Sequence, residues 1–128
     1  MLYVNSVMQT HIVGVAKSTK LQAAMRLMER SAVPLLPVLY GGTLIGTLTR
    51  EEIEKAIRSG CEIETTPVER IMKKNFSYVE AEAELDDAAK VLIKKHLARV
   101  PVVNNSEDML CVGMLSSTEI LNAKNKKK

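Results

Sequence analysis

The sequence predicts an α/β (α+β) fold in which one small β-α-β-β-α unit occurs twice. Three observations carry this expectation. A shift of 64 residues lays residues 4–38 on 68–102 without a gap, with seven identities in 35 positions. The identities fall where a common core needs them: Val4 on Val68, Met8 on Met72, Val15 on Val79, Leu21 on Leu85, Ala24 on Ala88 and Pro37-Val38 on Pro101-Val102. A longer loop in the second copy then moves the shift to 67, so that Gly46 meets Gly113, Leu48 meets Leu115, Thr49 meets Ser116 and Glu52-Ile53 meets Glu119-Ile120. Finally, both copies run through helical and strand periodicities in the same order. Neither copy is large enough to bury a good core alone, so the two are expected to pack face to face.

Taken in order, residues 12–15 read as a short strand. Leu21, Ala24, Met25 and Met28 fall at i, i+3, i+4 and i+7, one apolar helix face, with Thr19 and Gln22 spaced as a capping box. Residues 35–40 read as a buried strand, Gly41-Gly42 as a hairpin turn and residues 43–48 as the returning strand. A second helix follows over residues 51–58, stopped by Gly60. Pro67 opens a short helix over residues 68–72 that joins the copies. The second copy repeats the pattern: a strand over residues 76–79, then a helix with Leu85, Ala88, Ala89, Leu92 and Ile93 inward. A strand over 100–103, a polar loop over 104–108, a strand over 109–115 and a helix over 117–123 complete it. The expected division is therefore residues 1–62, residues 63–123 and a lysine-rich tail over 124–128.

Composition narrows the function classes. At 46% hydrophobic and 26% charged the chain is ordinary globular material, and with 3% aromatics its core must come from aliphatic residues and seven Met. The longest mainly apolar stretch, residues 33–40, is broken by Pro34 and Pro37, far short of the roughly 20 residues a bilayer demands. No signal peptide is read at the N-terminus, and Cys61 and Cys111 are isolated, so reduced cytoplasmic thiols are expected. The net charge of +3 belongs to Lys124, Lys126, Lys127 and Lys128; without them 14 basic residues face 15 acidic ones. A solvated terminus accounts for that cluster, and neither nucleic acid nor a membrane is the expected partner. His11 and His96 lack the spacing of a metal site. No base–nucleophile pair or Gly-rich phosphate loop stands out either, which argues against an enzyme.

The doubled order resembles the CBS repeat family. The resemblance is carried by Val7-Met8 and Ile71-Met72 before each first strand and by Pro37-Val38 and Pro101-Val102. The runs Gly46-Thr47-Leu48-Thr49-Arg50-Glu51-Glu52 and Gly113-Met114-Leu115-Ser116-Ser117-Thr118-Glu119 close the copies. It covers residues 3–123. It implies tandem CBS repeats (a Bateman module) packed about a pseudo-twofold axis, forming a homodimer. It further implies a regulatory ligand-sensing module for an adenosine-containing ligand: AMP, ADP, ATP or S-adenosylmethionine. The ligand would lie in the cleft between the repeats, and the regulated partner would be a separate protein. No cofactor is required; an adenine nucleotide or S-adenosylmethionine would be a regulatory ligand.

Carried over by position, the adenine slot uses Thr10, Ile12 and Pro37, with Lys74, Phe76 and Pro101 in the second copy. Plain core packing explains Ile12, Phe76 and both prolines equally. Thr49 and Ser116 stand where the family has a hydroxyl facing ribose or phosphate. Glu52 and Glu119 stand where it most often has the Asp that takes the ribose hydroxyls. A helix start of the form S/T-x-x-E is also a capping box, so helix capping competes with ribose binding at both places. Arg99 matches a phosphate contact, its counterpart Leu35 offers nothing to an anion, and Arg50 adds charge at the first of these helix starts. The alternative is a structural dimerisation and interaction module with degenerate, non-binding clefts.

Overall fold

The computed structural model describes residues 1–126; Lys127 and Lys128 of the lysine cluster lie outside the described residues. Two three-stranded sheets form, each with the same wiring. In the first, β1 (Val15–Ala16) leads through α1 (Leu21–Ser31) to β2 (Leu35–Tyr40), which lies parallel to β1. The Gly41-Gly42 turn, both residues at positive φ, returns the chain as the antiparallel β3 (Thr43–Thr49) and into α2 (Arg50–Arg58). The second sheet repeats this with β4 (Val79–Glu80), α3 (Leu85–Lys95), β5 (Arg99–Val103), β6 (Cys111–Ser116) and α4 (Ser117–Asn125). Registers match as well. Val15 pairs with Val38 and Val38 with Gly46, just as Val79 pairs with Val102 and Val102 with Gly113.

The chain forms two compact units that are not consecutive in sequence. One is Val13–Phe76; the other joins Met1–Ile12 to the chain from Ser77 onward. Each unit has its own core. In the first, Leu21, Ala24 and Met28 of α1 pack with Leu36, Val38, Leu48, Ile53 and Val68. In the second, Leu85, Ala88 and Leu92 of α3 pack with Val100, Val102, Leu115, Ile120 and, from the N-terminal segment, Val4. Each fully buried aliphatic side chain contributes about 1.5–3 kcal/mol, so Val68 and Val4 tie their segments firmly to these cores.

Backbone hydrogen bonds do the same. The 3₁₀ turn Val68–Arg70 donates from the amides of Val68 and Glu69 to Thr19 O (2.7 Å) and Lys17 O (3.0 Å). The turn Val4–Ser6 donates from Val4 and Asn5 to Ala83 O (3.0 Å) and Ala81 O (2.9 Å). The short helix expected over residues 68–72 is thus only a 3₁₀ turn, held by its neighbours.

Four further expectations need correction. Thr19 and Gln22 form no capping box. The α1 N-cap is Lys20, and the amides of Leu21 and Gln22 donate instead to Thr66 O and Ile63 O at 2.9 and 3.0 Å. The first strand of each copy is two residues long, because the preceding residues leave the ladder. The last strand starts at Cys111, since Met109 takes φ 57° to close the loop before it. Ile93 does not face inward: it is 75% exposed on the flank of α3.

Candidate functional site

The structure regroups the residues singled out in the sequence. Pro37, Thr49, Arg50, Glu52, Lys74 and Phe76 fall in the unit Val13–Phe76, whereas Thr10, Ile12, Arg99, Pro101, Ser116 and Glu119 share the other. The segments before each first strand account for this. Gln9 and Met114 exchange two backbone hydrogen bonds at 2.8 and 2.9 Å, and Thr47 and Lys73 exchange two at 3.1 and 2.8 Å. Thr10 therefore follows a residue bonded to β6, and Lys74 follows one bonded to β3. Both are exposed, while Ile12 and Phe76 are half-buried and Pro37 and Pro101 are buried.

Close approach in these segments requires glycine on the facing strands. A Cβ on Gly46 would lie 2.6 Å from Met72 Sδ, and one on Gly113 would lie 2.7 Å from Met8 Sδ and from Gln9 O. Sequence comparison of the copies marks Gly46 and Gly113 as shared. It cannot say that a methionine from the preceding segment lies over each, because that contact is made only in the fold.

Both helix starts are capping boxes. Thr49 N–H donates to Glu52 Oε1 (2.8 Å) and Glu52 N–H donates to Thr49 Oγ1 (3.2 Å). Ser116 and Glu119 repeat the geometry at 2.9 and 3.3 Å. The second oxygen, Oε2, makes no hydrogen bond in either Glu among the described residues, and a carboxylate can accept several.

Charge is distributed unevenly between the copies. Arg50 is drawn to two carboxylates, Glu29 Oε1 on α1 at 3.5 Å and Glu54 Oε2 at 3.7 Å, so its charge is already compensated. In the other unit Arg99 opens β5 in register with Ser116, the α4 N-cap. Its Nε is buried and has no hydrogen-bond partner among the described residues. Leaving such a donor unmade costs about 1–3 kcal/mol. Leu35, at the equivalent place, is in register with Thr49 and carries no polar group.

Of the two cysteines, both free thiols, burial pushes the Cys111 thiol above its ordinary pKa, with a weaker opposing effect from its contact with Gly113 O. No helix among the described residues is long and apolar enough to cross a membrane. Lys124, read in sequence as the start of a frayed tail, lies in the last turn of α4 and pairs with Asp86 Oδ1 at 2.8 Å.

Two three-stranded sheets with identical wiring, each followed by a capped helix, define a tandem repeat module. The CBS domain family model matches residues 4–59 and 68–126, and the chain belongs to the CBS domain family as a tandem pair. Among curated proteins it is similar to the CBS domain-containing protein YhcV of Bacillus subtilis, 27% identical over 121 residues that make up 93% of this chain and 86% of YhcV. Two larger relatives are homoserine O-acetyltransferase of Methanohalobium evestigatum and inosine-5'-monophosphate dehydrogenase of Korarchaeum cryptofilum. The chain spans only 23% and 21% of their lengths. Among solved structures, the CBS domain pair of protein MJ0100, in complex with 5-methylthioadenosine and S-adenosyl-L-methionine, superposes with a TM-score of 0.82 at 22% identity. That match covers 100% of this chain and 99% of the other. CBSX2 in complex with AMP gives 0.83 at 23% identity, covering 99% and 98%.

Proposed function

We propose that the chain is a regulatory ligand-sensing module that binds AMP, ADP, ATP or S-adenosylmethionine and acts on a separate protein in the cytoplasm, without being an enzyme itself. The observation that carries this reading is Arg99, in register with the Ser116 helix start, whose buried Nε has no hydrogen-bond partner among the described residues. A phosphate oxygen there would satisfy that donor through a charge-assisted hydrogen bond and would also lie near the positive end of α4. The complexes of MJ0100 and CBSX2 with adenosine-type molecules support the ligand class. Thr10, Ile12 and Pro101 would bound the base and Oε2 of Glu119 would take a ribose hydroxyl. In the other unit Pro37, Thr49, Glu52 and Phe76 would do the same without a phosphate partner, because Leu35 replaces the arginine.

Isothermal titration and thermal shift with the four ligands test this. A ligand held only by the folded state must raise its melting temperature. AMP is expected to bind, and Arg99→Ala is expected to weaken AMP by about tenfold or more, with adenosine little affected. Absence of heat and of any thermal shift at millimolar concentrations of all four would overturn the proposal.

A second reading, a structural interaction module, is favoured by one specific observation: both carboxylates hold their helix starts. Glu52→Asp with Glu119→Asp separates the two. Tighter adenosine binding would mark these positions as ligand contacts, and loss of stability alone would mark them as caps.

A further inference from the structure

The leading segment of each unit carries a methionine that the ligand reading leaves without a role. Met8 packs against the core that contains Val4 and Leu85, and Met72 against the core that contains Leu21 and Val68. Each thioether lies over a buried glycine of the facing strand, Met8 Sδ over Gly113 and Met72 Sδ over Gly46. The sulfur therefore fills the place where any other residue on that strand would project a side chain. Beside each methionine the segment is held to the strand by one reciprocal pair of backbone hydrogen bonds, Gln9 with Met114 and Lys73 with Thr47.

Exposure singles out these two sulfurs among the methionines. Met1 is 82% exposed and supports no core, while Met28 is 3% exposed and sheltered. Met8, Met25, Met72, Met109 and Met114 are half-buried, open to a small oxidant and yet in contact with the fold. Met25 lies within α1 and Met114 within β6, where regular hydrogen bonding holds the backbone. Among the described residues only Met8 and Met72 combine half-burial with a sulfur over a glycine. Burial keeps the Cys111 thiol protonated, which makes it a poor competitor for peroxide.

We propose that Met8 and Met72 are reversible oxidation sites, and that a sulfoxide at either one lifts its leading segment from the strand it covers. Hydrogen peroxide supplies the oxygen. Its O–O bond breaks, one oxygen bonds to the sulfur, which gives up two electrons, and the other leaves as water. The protein neither gains nor loses a proton. The new S–O group is polar, its apolar neighbours offer it no donor, and the glycine contact leaves it no room on the strand side. The side chain swings outward, and water reaches the pair of hydrogen bonds beside it. This change lies within each unit and needs no ligand. Residues 10–12 and 74–76 follow directly, so on the adenosine reading a peroxide signal also lowers ligand affinity.

Amide exchange of the full chain, followed by NMR without nucleotide before and after dilute hydrogen peroxide, tests this. Peptide mapping is expected to find sulfoxide at Met8 and Met72 ahead of Met28. The amides of Gln9, Thr47, Lys73 and Met114 are expected to exchange about tenfold faster or more, with those inside α1 and α3 unchanged. Methionine sulfoxide reductase with a dithiol is expected to restore the slow exchange. Met8→Leu with Met72→Leu nearly conserves volume, so it is expected to keep the circular dichroism spectrum and to lose the response to peroxide. Both cysteines and the other methionines remain in that variant. If the pair fails to fold, each single variant is expected to silence its own segment alone. Oxidation of Met28 before Met8 and Met72, unchanged exchange after oxidation, a response that persists in the leucine variants, or no recovery on reduction would each overturn the proposal.

Discussion

The tightest constraints in this molecule sit on single atoms. Gly46 and Gly113 have no space for a methyl group: the nearest sulfur would lie 2.6 or 2.7 Å from an added Cβ, inside van der Waals contact. The methionine side chains can swing, but Lys73 O and Gln9 O, at 3.2 and 2.7 Å, belong to backbone that is hydrogen-bonded to the same strands. Gly113→Ala meets the closer carbonyl and is expected to cost about 1–3 kcal/mol, the usual range for overpacking. Gly46→Ala, where the flexible Met72 takes most of the clash, is expected to cost less. Urea denaturation of the two variants gives the order directly; an equal cost would show that the carbonyl contact does not matter.

At the scale of elements, the two copies close their first helices alike and open their second helices alike. Both long helices, α1 and α3, close on a non-glycine residue in the left-handed region, Ala32 at φ 54° and His96 at φ 55°. L-residues pay for that conformation and glycine does not, so Ala32→Gly and His96→Gly are each expected to stabilise by about 0.5–1 kcal/mol. A rise in thermal midpoint for both would support this; a fall would show that the side chain contributes packing. The helix starts explain what was legible in the sequence. Thr49…Glu52 and Ser116…Glu119 are readable because a capping box closes within four residues. Thr19 and Gln22 have comparable spacing, yet the α1 amides bond Thr66 O and Ile63 O, carbonyls more than 40 residues along the chain. Local chemistry is visible in a sequence, and a competitor from far along the chain is not. Ile93 teaches the same lesson: its place in the helical period suits the core, but Leu85, Ala88 and Leu92 take the core-facing side of α3 and Ile93 is left exposed.

At the scale of the whole molecule the repeats were legible and their spatial grouping was not. The 64-residue shift pairs Val4 with Val68, but no residue type declares which of the two cores each one enters. The same limit governs the candidate site: no residue type declares that Thr10 falls in one unit with Arg99 and Ser116 and Pro37 in the other. A fragment of residues 13–76 retains Thr66 and Val68 with α1 and should unfold cooperatively in urea, whereas residues 1–62 lack both and should be less stable. Equal stability of the two fragments would contradict this. The exchanged leading segments also bear on how the chain is made. Residues 13–76 can complete their contacts while synthesis continues. Gln9 finds Met114 only after about a hundred more residues have been added, a delay of about 5–20 seconds at ordinary translation rates. Residues 4–9 therefore dock well after they are made, and during that interval Val4 and Met8 are apolar residues waiting for a surface that does not yet exist.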